Sequence, residues 1–402
     1  MSGIVIVGAG QAGASLAARL RALGHHGPVT LIGEEPVAPY QRPPLSKGYL
    51  MGEMDLDRLF LRAHGFWDEQ SITLKLGQQV TAIDRAAGSV TLSDGSAVPY
   101  TQLALTTGAI PRRLPPSAGG DLAGVYTVRT LADIDSMKPE FRAGRRLLIV
   151  GGGYIGLEAA SVAAKLGLDV TVIEMAPRIL QRVAAAETSD FVRSAHLAHG
   201  VMIYEGIGLT RLTGEGRVRG AILTDRREIP ADFVIVGMGI TPAAALAEAA
   251  GLEIDNGIRC DEMGRTSDPA IWAAGDCASF PWRDGRLRLE SVGNAIDMAE
   301  AVAANMLGAG APYVAAPWFW SDQYDIKLQI AGLNTGYDHI VTRPGENGAV
   351  SFWYYRGGTL LAVDAMSDAR AYMIGKRLIE MGRSPDPAVI ADPATNLKGL
   401  LR

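Results

Sequence analysis

The glycine spacing G-x-G-x-x-G occurs twice in this 402-residue chain, and each copy directly follows a short apolar run. The first copy ends the stretch IVIVGAGQAG, residues 4–13, and the second ends LLIVGGGYIG, residues 147–156. Behind each copy comes a segment whose apolar residues recur with helical periodicity, followed by a second apolar run. The spacing therefore predicts two strand–turn–helix–strand units, duplicated at the distance of a domain rather than of a solenoid repeat.

Both units contain the further features that make this glycine spacing specific. An acidic residue, Glu34 or Glu174, ends the second apolar run of each unit, about 20 residues beyond the last glycine. In such a unit the glycines admit a pyrophosphate to the helix N-terminus, and the acid accepts hydrogen bonds from a ribose. The chain is therefore predicted to bind two dinucleotides. The predicted elements are strand 4–7, helix 12–24 and strand 29–35, then strand 146–152, helix 154–167 and strand 169–175.

The composition excludes several other classes of protein. The chain is 48% hydrophobic and 20% charged, which is typical of a globular protein, and its net charge of -5 gives no basic footprint for nucleic acid. No apolar run reaches the roughly 18 residues of a membrane span. Two cysteines, Cys260 and Cys277, are too few for a disulfide framework or a metal site. We expect a cytoplasmic protein with no signal peptide, no metal, and no nucleic-acid or membrane partner.

The remainder of the chain adds β-rich segments and a third region. Asp94-Gly95 lies between two alternating stretches and predicts a hairpin. From residue 317 onward aromatic residues cluster, and short β-like runs precede a helix around 369–382, which predicts a third, α+β domain. The tail, residues 392–402, is expected to lie on the surface.

Several longer stretches identify a family resemblance. They are VGAGQAG (7–13), RPPLSK (42–47), LALTTGAIPRRLP (103–115), WAAGDCASF (272–280), RLESVGNAIDMA (288–299) and PWFWSDQYDIKLQIAGL (317–333). Together they resemble the FAD-dependent, NADH-using ferredoxin reductases of bacterial oxygenase systems. The resemblance implies an α/β fold like that of glutathione reductase, with two Rossmann-type nucleotide-binding domains and a C-terminal α+β domain. The implied domains are 1–110 with 239–317 for FAD, 111–238 for NAD, and 318–402 at the C-terminus.

The resemblance also implies which residues contact each cofactor. For FAD they are Gly8, Gly10, Ala12, Gly13, Glu34, Arg42, Lys47, Val80, Arg129, Asp276, Val292 and Trp320. For NADH they are Gly151, Gly152, Gly153, Tyr154, Ile155, Gly156, Glu174 and Gly237. Outside the resemblance, Trp320 also fits an ordinary aromatic core, Asp276 a solvated loop, and Lys47 a solvated lysine.

Catalysis is expected to depend on orientation, because hydride transfer between nicotinamide and flavin needs no side-chain acid or base. We expect Lys47 to stabilise the reduced flavin. The resemblance implies that Glu158 pairs with Lys47 and that Trp320 lies beside the flavin ring. Glu174 is expected to favour NADH over NADPH by repelling a 2′-phosphate, although Arg178 and Arg182 lie nearby in the sequence.

The acceptor is inferred from what the chain lacks. Residues 14–60 contain no cysteine, which excludes a disulfide reductase, and no cysteine cluster could hold an iron–sulfur centre. We expect a small acidic [2Fe-2S] ferredoxin as partner, serving a haem-thiolate monooxygenase or a ring-hydroxylating dioxygenase. Two alternatives stay open: an NADH-dependent reductase of a quinone or monodehydroascorbate, and a redox-sensing binding protein. Docking would need local basic residues, for which the candidates are Arg283, Arg286, Arg288, Lys327, Lys376 and Arg377.

Overall fold

The computed structural model describes residues 3–402. In that part of the chain the strands are β1 Gly3–Val7, β2 Val29–Gly33, β3 Ile72–Leu76, β4 Val80–Asp84, β5 Ser89–Leu92, β6 Ala97–Leu105, β7 Ala109–Pro111, β8 Val125–Tyr126, β9 Arg146–Val150, β10 Asp169–Glu174, β11 Met202–Glu205, β12 Leu209–Thr213, β13 Gly220–Leu223, β14 Glu228–Pro230, β15 Phe233–Val236, β16 Ile240–Pro242, β17 Ile258–Arg259, β18 Ile271–Ala273, β19 Ala278–Trp282, β20 Gly285–Leu287, β21 Trp318–Gln323, β22 Ile326–Gly332, β23 His339–Pro344, β24 Val350–Arg356 and β25 Thr359–Met366.

The α-helices are α1 Gln11–Ala22, α2 Gly48–Met51, α3 Phe66–Glu69, α4 Leu131–Met137, α5 Tyr154–Lys165, α6 Ala186–Ala198, α7 Ala245–Ala249, α8 Val292–Met306, α9 Ala369–Glu380 and α10 Pro387–Ala391. Short 3-10 helices are Pro43–Ser46, Pro116–Ala118, Lys138–Glu140, Glu346–Gly348 and Leu397–Leu401. None of the helices in residues 3–402 is both long and apolar enough to span a bilayer.

The chain divides into two compact units, each drawn from three segments. Unit 1 comprises residues up to 41, 56–110 and 241–317, and unit 2 comprises residues 42–55, 111–240 and 318–402. The second unit thus contains the second glycine copy, the RPPLSK segment and the aromatic C-terminal region. The predicted division into FAD, NAD and C-terminal domains stays a prediction.

Unit 1 is built on a seven-stranded sheet in the order β3-β2-β1-β6-β5-β4, with β18 beside β6. Strand β1 pairs in parallel with β2 and β6, and all its residues from Ile4 to Val7 are buried. A parallel strand covered on both faces reads as an unbroken apolar run, which explains the sequence IVIV. The predicted hairpin at Asp94-Gly95 is confirmed, since β5 and β6 pair antiparallel around a Gly95 with φ 83°.

Unit 2 contains a parallel sheet in the order β11-β10-β9-β15-β8 and an antiparallel sheet in the order β21-β22-β25-β24-β23. Helix α5 follows β9, so the second predicted strand–turn–helix–strand unit is confirmed. The predicted C-terminal strands and the helix near 369–382 are also present, as β22, β24, β25 and α9. Strands β21 and β23 were not predicted, and the residues of β23 carry no clear alternation.

Most of the tail, residues 392–402, is exposed or half-buried as predicted, but Leu397 is an exception. Leu397 is only 4% exposed, and it packs with Ile390 and Leu378 in the core beside the antiparallel sheet. Arg343, itself buried, donates to the carbonyl oxygens of Ile390, Asp392, Pro393 and Thr395. This guanidinium replaces the water that would otherwise hydrate those carbonyls, so a short polar tail can lie against the core.

Candidate functional site

The first glycine loop connects β1 to α1 and leaves space where a phosphate could approach. A Cβ on Gly8, whose φ is +113°, would lie 2.2 Å from the carbonyl oxygen of Thr106, and one on Gly13 would lie 2.0 Å from that of Gly8. A Cβ on Gly10 would meet nothing within 4 Å. Gly8 and Gly13 are therefore required by backbone packing, whereas Gly10 begins α1 beside open space, as a pyrophosphate cradle requires.

The second loop, between β9 and α5, repeats this arrangement. A Cβ on Gly151, with φ +110°, would lie 2.4 Å from the carbonyl oxygen of Gly237, and one on Gly156 would lie 2.4 Å from that of Gly151. Gly153 again has nothing within 4 Å of its Cβ position. Gly237, predicted near the nicotinamide, thus contacts the loop through its backbone. Both loops fit the phosphates of a dinucleotide.

The two acids that end the second strands differ in how they are held. Glu34 follows β2 directly and is exposed. Glu174 ends β10, where its Oε2 accepts from the Gly152 N–H at 2.7 Å and its Oε1 from the Ala176 N–H at 2.8 Å. The Glu174 carboxylate is therefore fixed beside the second glycine loop.

Arg178 does not supply the counter-charge that a 2′-phosphate would need near Glu174. Its guanidinium donates to the carbonyl oxygens of Ala184 at 2.7 Å and Ala185 at 3.1 Å. The side chain of Met175, in contrast, is 77% exposed immediately after Glu174. An apolar side chain open to solvent beside Glu174 is a candidate platform for adenine, and no sequence pattern singled it out.

The two residues that open α5 differ in accessibility. Ile155 is 44% exposed, so its side chain is open at the helix N-terminus. Tyr154 instead packs its ring against Phe319, with centroids 4.8 Å apart, and its hydroxyl is buried with no partner in residues 3–402. Tyr154 therefore presents its backbone, rather than its ring, to the glycine loop.

A buried ion pair joins the two residues predicted to act together in catalysis. Lys47 Nζ lies 2.6 Å from Glu158 Oε2. Glu158 is 2% exposed, and its carboxylate also accepts from the hydroxyls of Ser46 and Ser321, each at 2.7 Å. Ser46 and Ser321 were not predicted, because a single serine gives no sequence signal. A carboxylate this deeply buried needs such donors, since desolvation strongly disfavours an unpaired charge.

The RPPLSK segment explains where Lys47 stands. Two prolines begin the 3-10 helix Pro43–Ser46, whose backbone they pre-organise. Lys47 ends that turn and also donates to the Pro43 carbonyl at 3.2 Å. Arg42, at the other end of the turn, donates to the carbonyl oxygen of Arg129 at 2.6 Å, so these two predicted FAD residues are brought together.

Strand β21 presents different residues on its two faces, because side chains alternate along a strand. Phe319 and Ser321 face α5, where they contact Tyr154 and Glu158. Trp320 is half-buried on the opposite face, stacked on Trp318 with centroids 5.5 Å apart. The Trp320 ring therefore lies on the face of β21 that points away from Glu158.

Most of the remaining predicted FAD residues lie in unit 1. A Cβ on Gly275 would lie 3.0 Å from the Cβ of Ala12 and 3.9 Å from Ala295, so the segment containing Asp276 lies between α1 and α8. Val292 begins α8 and is half-buried. Val80 begins β4, two residues after Gln78, whose N–H donates to the Gly33 carbonyl at 3.0 Å beside Glu34.

The described residues show no metal site and no redox-active cysteine pair. No group of three or more His, Cys, Asp or Glu side chains in residues 3–402 could hold a metal ion. Cys260 and Cys277 are both reduced and buried, and burial raises the pKa of each thiol. Neither thiol therefore has the exposed thiolate character that disulfide exchange requires.

Comparison with known proteins agrees with this geometry. Residues 2–299 match the pyridine nucleotide-disulphide oxidoreductase family, and residues 318–401 match the reductase C-terminal family. A ferredoxin–NAD(P)(+) reductase of a Sphingomonas species is 43% identical over 99% of this chain and 97% of its own length.

Solved structures extend the likeness to the whole fold. A chain in the crystal structure of a covalent putidaredoxin reductase–putidaredoxin complex has a TM-score of 0.96 and 40% identity, covering 100% of this chain and 98% of that one. A ferredoxin reductase from Rhodopseudomonas palustris has a TM-score of 0.97 and 37% identity, with 100% of both chains covered. The predicted glutathione-reductase-like fold and the family resemblance are confirmed: the chain belongs to the pyridine nucleotide-disulphide oxidoreductase family, among its ferredoxin reductases.

Proposed function

We propose that this protein is an NADH:ferredoxin oxidoreductase that binds FAD at the first glycine loop and NADH at the second. The observation that carries the proposal is the duplicated cradle, in which Gly10 and Gly153 both face open space at a helix N-terminus. One chain with two such loops can hold two dinucleotides at once. FAD, when bound, accepts two electrons from NADH as a hydride and passes them on singly.

The Lys47–Glu158 pair supports a role beside the flavin. Lys47 supplies a positive charge toward the negative charge that develops on reduction, and Glu158 fixes the direction of that ammonium. We assign Trp320 and Val292 to positions beside the flavin ring. Arg42, held by the Arg129 carbonyl, is assigned to the flavin nucleotide.

Selectivity for NADH over NADPH follows from the fixed charge at Glu174. Two backbone N–H groups hold its carboxylate beside the glycine loop, and a 2′-phosphate there would meet a negative charge. Arg178 is occupied by the carbonyl oxygens of Ala184 and Ala185, so it does not offset that repulsion. We assign exposed Met175 to packing against the adenine ring.

The electron acceptor is assigned from the chemistry that the chain lacks. Neither Cys260 nor Cys277 is accessible for disulfide chemistry, and the described residues hold no cluster for an iron–sulfur centre. Electrons therefore leave to a separate one-electron carrier, a small acidic [2Fe-2S] ferredoxin. That ferredoxin would serve a haem-thiolate monooxygenase or a ring-hydroxylating dioxygenase. We place the system in the cytoplasm, where two unpaired buried thiols remain reduced.

We assign residues 1–110 and 239–317 to the FAD domain, 111–238 to the NAD domain and 318–402 to the C-terminal domain. The assignment is supported by the position of each glycine loop, one in unit 1 and one in unit 2. Limited proteolysis with and without NAD+ tests it: protection confined to fragments of 111–238 is expected. Protection outside that range would overturn the boundaries.

Anaerobic stopped-flow spectroscopy tests the function. NADH should bleach the flavin absorbance rapidly, and the reduced protein should then reduce members of a panel of purified [2Fe-2S] ferredoxins faster than a quinone or monodehydroascorbate. Faster turnover with the small acceptors would favour the alternative reductase. Slow or absent bleaching by NADH would overturn both the ferredoxin reductase and the small-acceptor reductase.

Raised ionic strength provides a control on the partner. Encounter with an acidic ferredoxin should depend on exposed basic residues such as Lys327, so added salt should slow ferredoxin reduction more than dye reduction. Equal slowing of both acceptors would argue against electrostatic docking.

A further inference from the structure

Glu158 is the end of a buried series of hydrogen bonds. Its Oε1 accepts from Ser321 Oγ at 2.7 Å, and Ser321 Oγ accepts from Gln323 Nε2 at 3.1 Å. Gln323 Oε1 lies 2.8 Å from His196 Nε2, and the Tyr324 hydroxyl lies 3.0 Å from His196 Nδ1. Three side chains thus connect the buried carboxylate of Glu158 to the half-buried phenol of Tyr324.

The direction of every hydrogen bond in this series is determined by its ends. A carboxylate only accepts, so Ser321 donates to Glu158 and must itself accept from the Gln323 amide N–H. The Gln323 carbonyl then accepts from His196 Nε2–H. Because burial lowers the pKa of His196 to about 4, the ring is neutral, and its Nδ1 accepts from Tyr324 O–H.

We propose that Ser321, Gln323, His196 and Tyr324 are positioning residues, which orient the Glu158 carboxylate and through it the Lys47 ammonium. Oε2 of Glu158 binds Lys47, so the orientation of the carboxyl plane sets the direction in which that ammonium points. The series holds the opposite oxygen, Oε1, and so opposes rotation about the last side-chain bond. Only the expected effect on flavin reduction by NADH rests on the proposed function.

Rigid elements support the series at both ends. Ser321 and Gln323 lie on one face of β21, and His196 is fully buried near the end of α6. Tyr324 occupies the hairpin turn after β21 with φ 57°, a conformation that costs energy for a residue other than glycine.

Helix α5 holds that turn. The Tyr324 N–H donates to Ser161 Oγ at 2.8 Å, and its carbonyl accepts from Lys165 Nζ at 3.1 Å. Since Glu158 is on the same helix, α5 holds both the first and the last member of the series. The strained turn therefore keeps the Tyr324 hydroxyl in register with the carboxylate that it helps to orient.

A double-mutant cycle tests the proposal with the complete FAD-loaded protein. Tyr324→Phe removes the last donor, and Ser321→Ala breaks the series next to Glu158. We expect Ser321→Ala to slow NADH-driven flavin reduction about tenfold, the effect of one hydrogen bond to a charged group. We expect Tyr324→Phe to slow it about threefold alone, but to have no effect in the Ser321→Ala background.

Ser351→Ala is the matched control. Ser351 is also fully buried, in the same antiparallel sheet, and accepts from Trp353 Nε1 at 3.0 Å outside the series. The control should leave flavin reduction within about twofold of wild type, because the buried hydrogen bond that it removes lies outside the series. A similar loss in Ser351→Ala would attribute the effect of Ser321→Ala to packing and overturn the proposal.

Nitrogen NMR of histidine-labelled protein gives a readout independent of turnover. His196 should show a protonated Nε2 and an unprotonated Nδ1 from pH 5.5 to 8, assigned by loss of its signals in His196→Asn. Ser321→Ala should change the chemical shifts of both His196 ring nitrogens, because the Gln323 amide group is then free to rotate. Ser351→Ala should leave both shifts unchanged.

The outcomes separate the two proposals. If Tyr324→Phe slowed flavin reduction equally with and without Ser321→Ala, or if His196 had the opposite tautomer, the positioning role would be overturned while the function stands. Failure of NADH to reduce the wild-type flavin would overturn the function, and the NMR result would still test the series.

Discussion

Replacing Lys47 by Met, Glu158 by Gln, and both together measures how strongly the buried pair is coupled. Met keeps most of the apolar stem of Lys47, and Gln keeps the shape of Glu158 while removing its charge. The structure predicts unequal costs, because Glu158 is 2% exposed whereas 18% of the Lys47 side chain reaches solvent.

The magnitudes follow from this difference. In Lys47→Met the buried carboxylate retains only the hydroxyls of Ser46 and Ser321, and an unpaired buried charge of this kind costs about 3 kcal/mol. In Glu158→Gln the ammonium can turn toward water, so we expect a loss of about 1 kcal/mol. The double variant should be more stable than Lys47→Met alone, since neither charge is then left buried.

Thermal unfolding of the FAD-loaded proteins, at fixed protein and FAD concentrations, measures this order. The melting temperature of Lys47→Met should be several degrees below that of wild type, with the double variant between them. Stopped-flow flavin reduction should also slow in Lys47→Met while FAD remains bound. Additive losses of stability would refute the coupling, and an unchanged reduction rate would refute the role of Lys47 beside the flavin.

Three further predictions concern other parts of the molecule. Glu174→Gln should reduce the preference for NADH over NADPH about tenfold in kcat/KM, since it removes the fixed negative charge near the 2′ position, and an unchanged ratio would contradict this role. Burial raises the pKa of Asp364 to about 6, so the native state binds a proton more tightly than the unfolded chain between about pH 4 and pH 6, and stability falls as the pH rises through that window. Asp364→Asn should therefore raise the melting temperature at pH 8 but not near pH 4; an equal change at both values would contradict the assignment. Arg343→Met should expose the tail to limited proteolysis, because the carbonyl oxygens of Ile390 and Thr395 lose their donor, and an unchanged cleavage pattern would contradict that view.

Local sequence rules predicted the nucleotide-binding elements well, because their signals are local. The apolar runs at β1 and β9 and the glycines after them are required by contacts with neighbouring backbone, so the residue types themselves reveal the turn. The acid Glu174 was found by spacing alone. The family resemblance added Lys47, Trp320 and the flavin side of the site, which no periodicity indicates.

Sequence patterns could not reveal contacts between segments far apart in the chain. Ser46 and Ser321 meet at Glu158 only because two distant segments pack against α5, and a serine carries no signal of such a role. The contacts that anchor the exposed tail were missed for a related reason: its carbonyl oxygens are bound by Arg343, a residue about 50 positions earlier. Likewise, only the structure shows that Arg178 points into backbone carbonyls instead of toward a 2′-phosphate.

The two glycine loops also show how one motif acquires two different uses. The residue two positions after the last glycine is Ser15 in the first unit and Glu158 in the second, and both side chains are buried. Ser15 is neutral and needs only a local partner, the Gln11 amide at 3.3 Å. A carboxylate at the same place requires a cation and additional donors, which come from residues 46, 47 and 321. The single difference at this buried position therefore requires distant segments of the chain to pack against the second helix. In this way the second glycine loop is linked to Lys47.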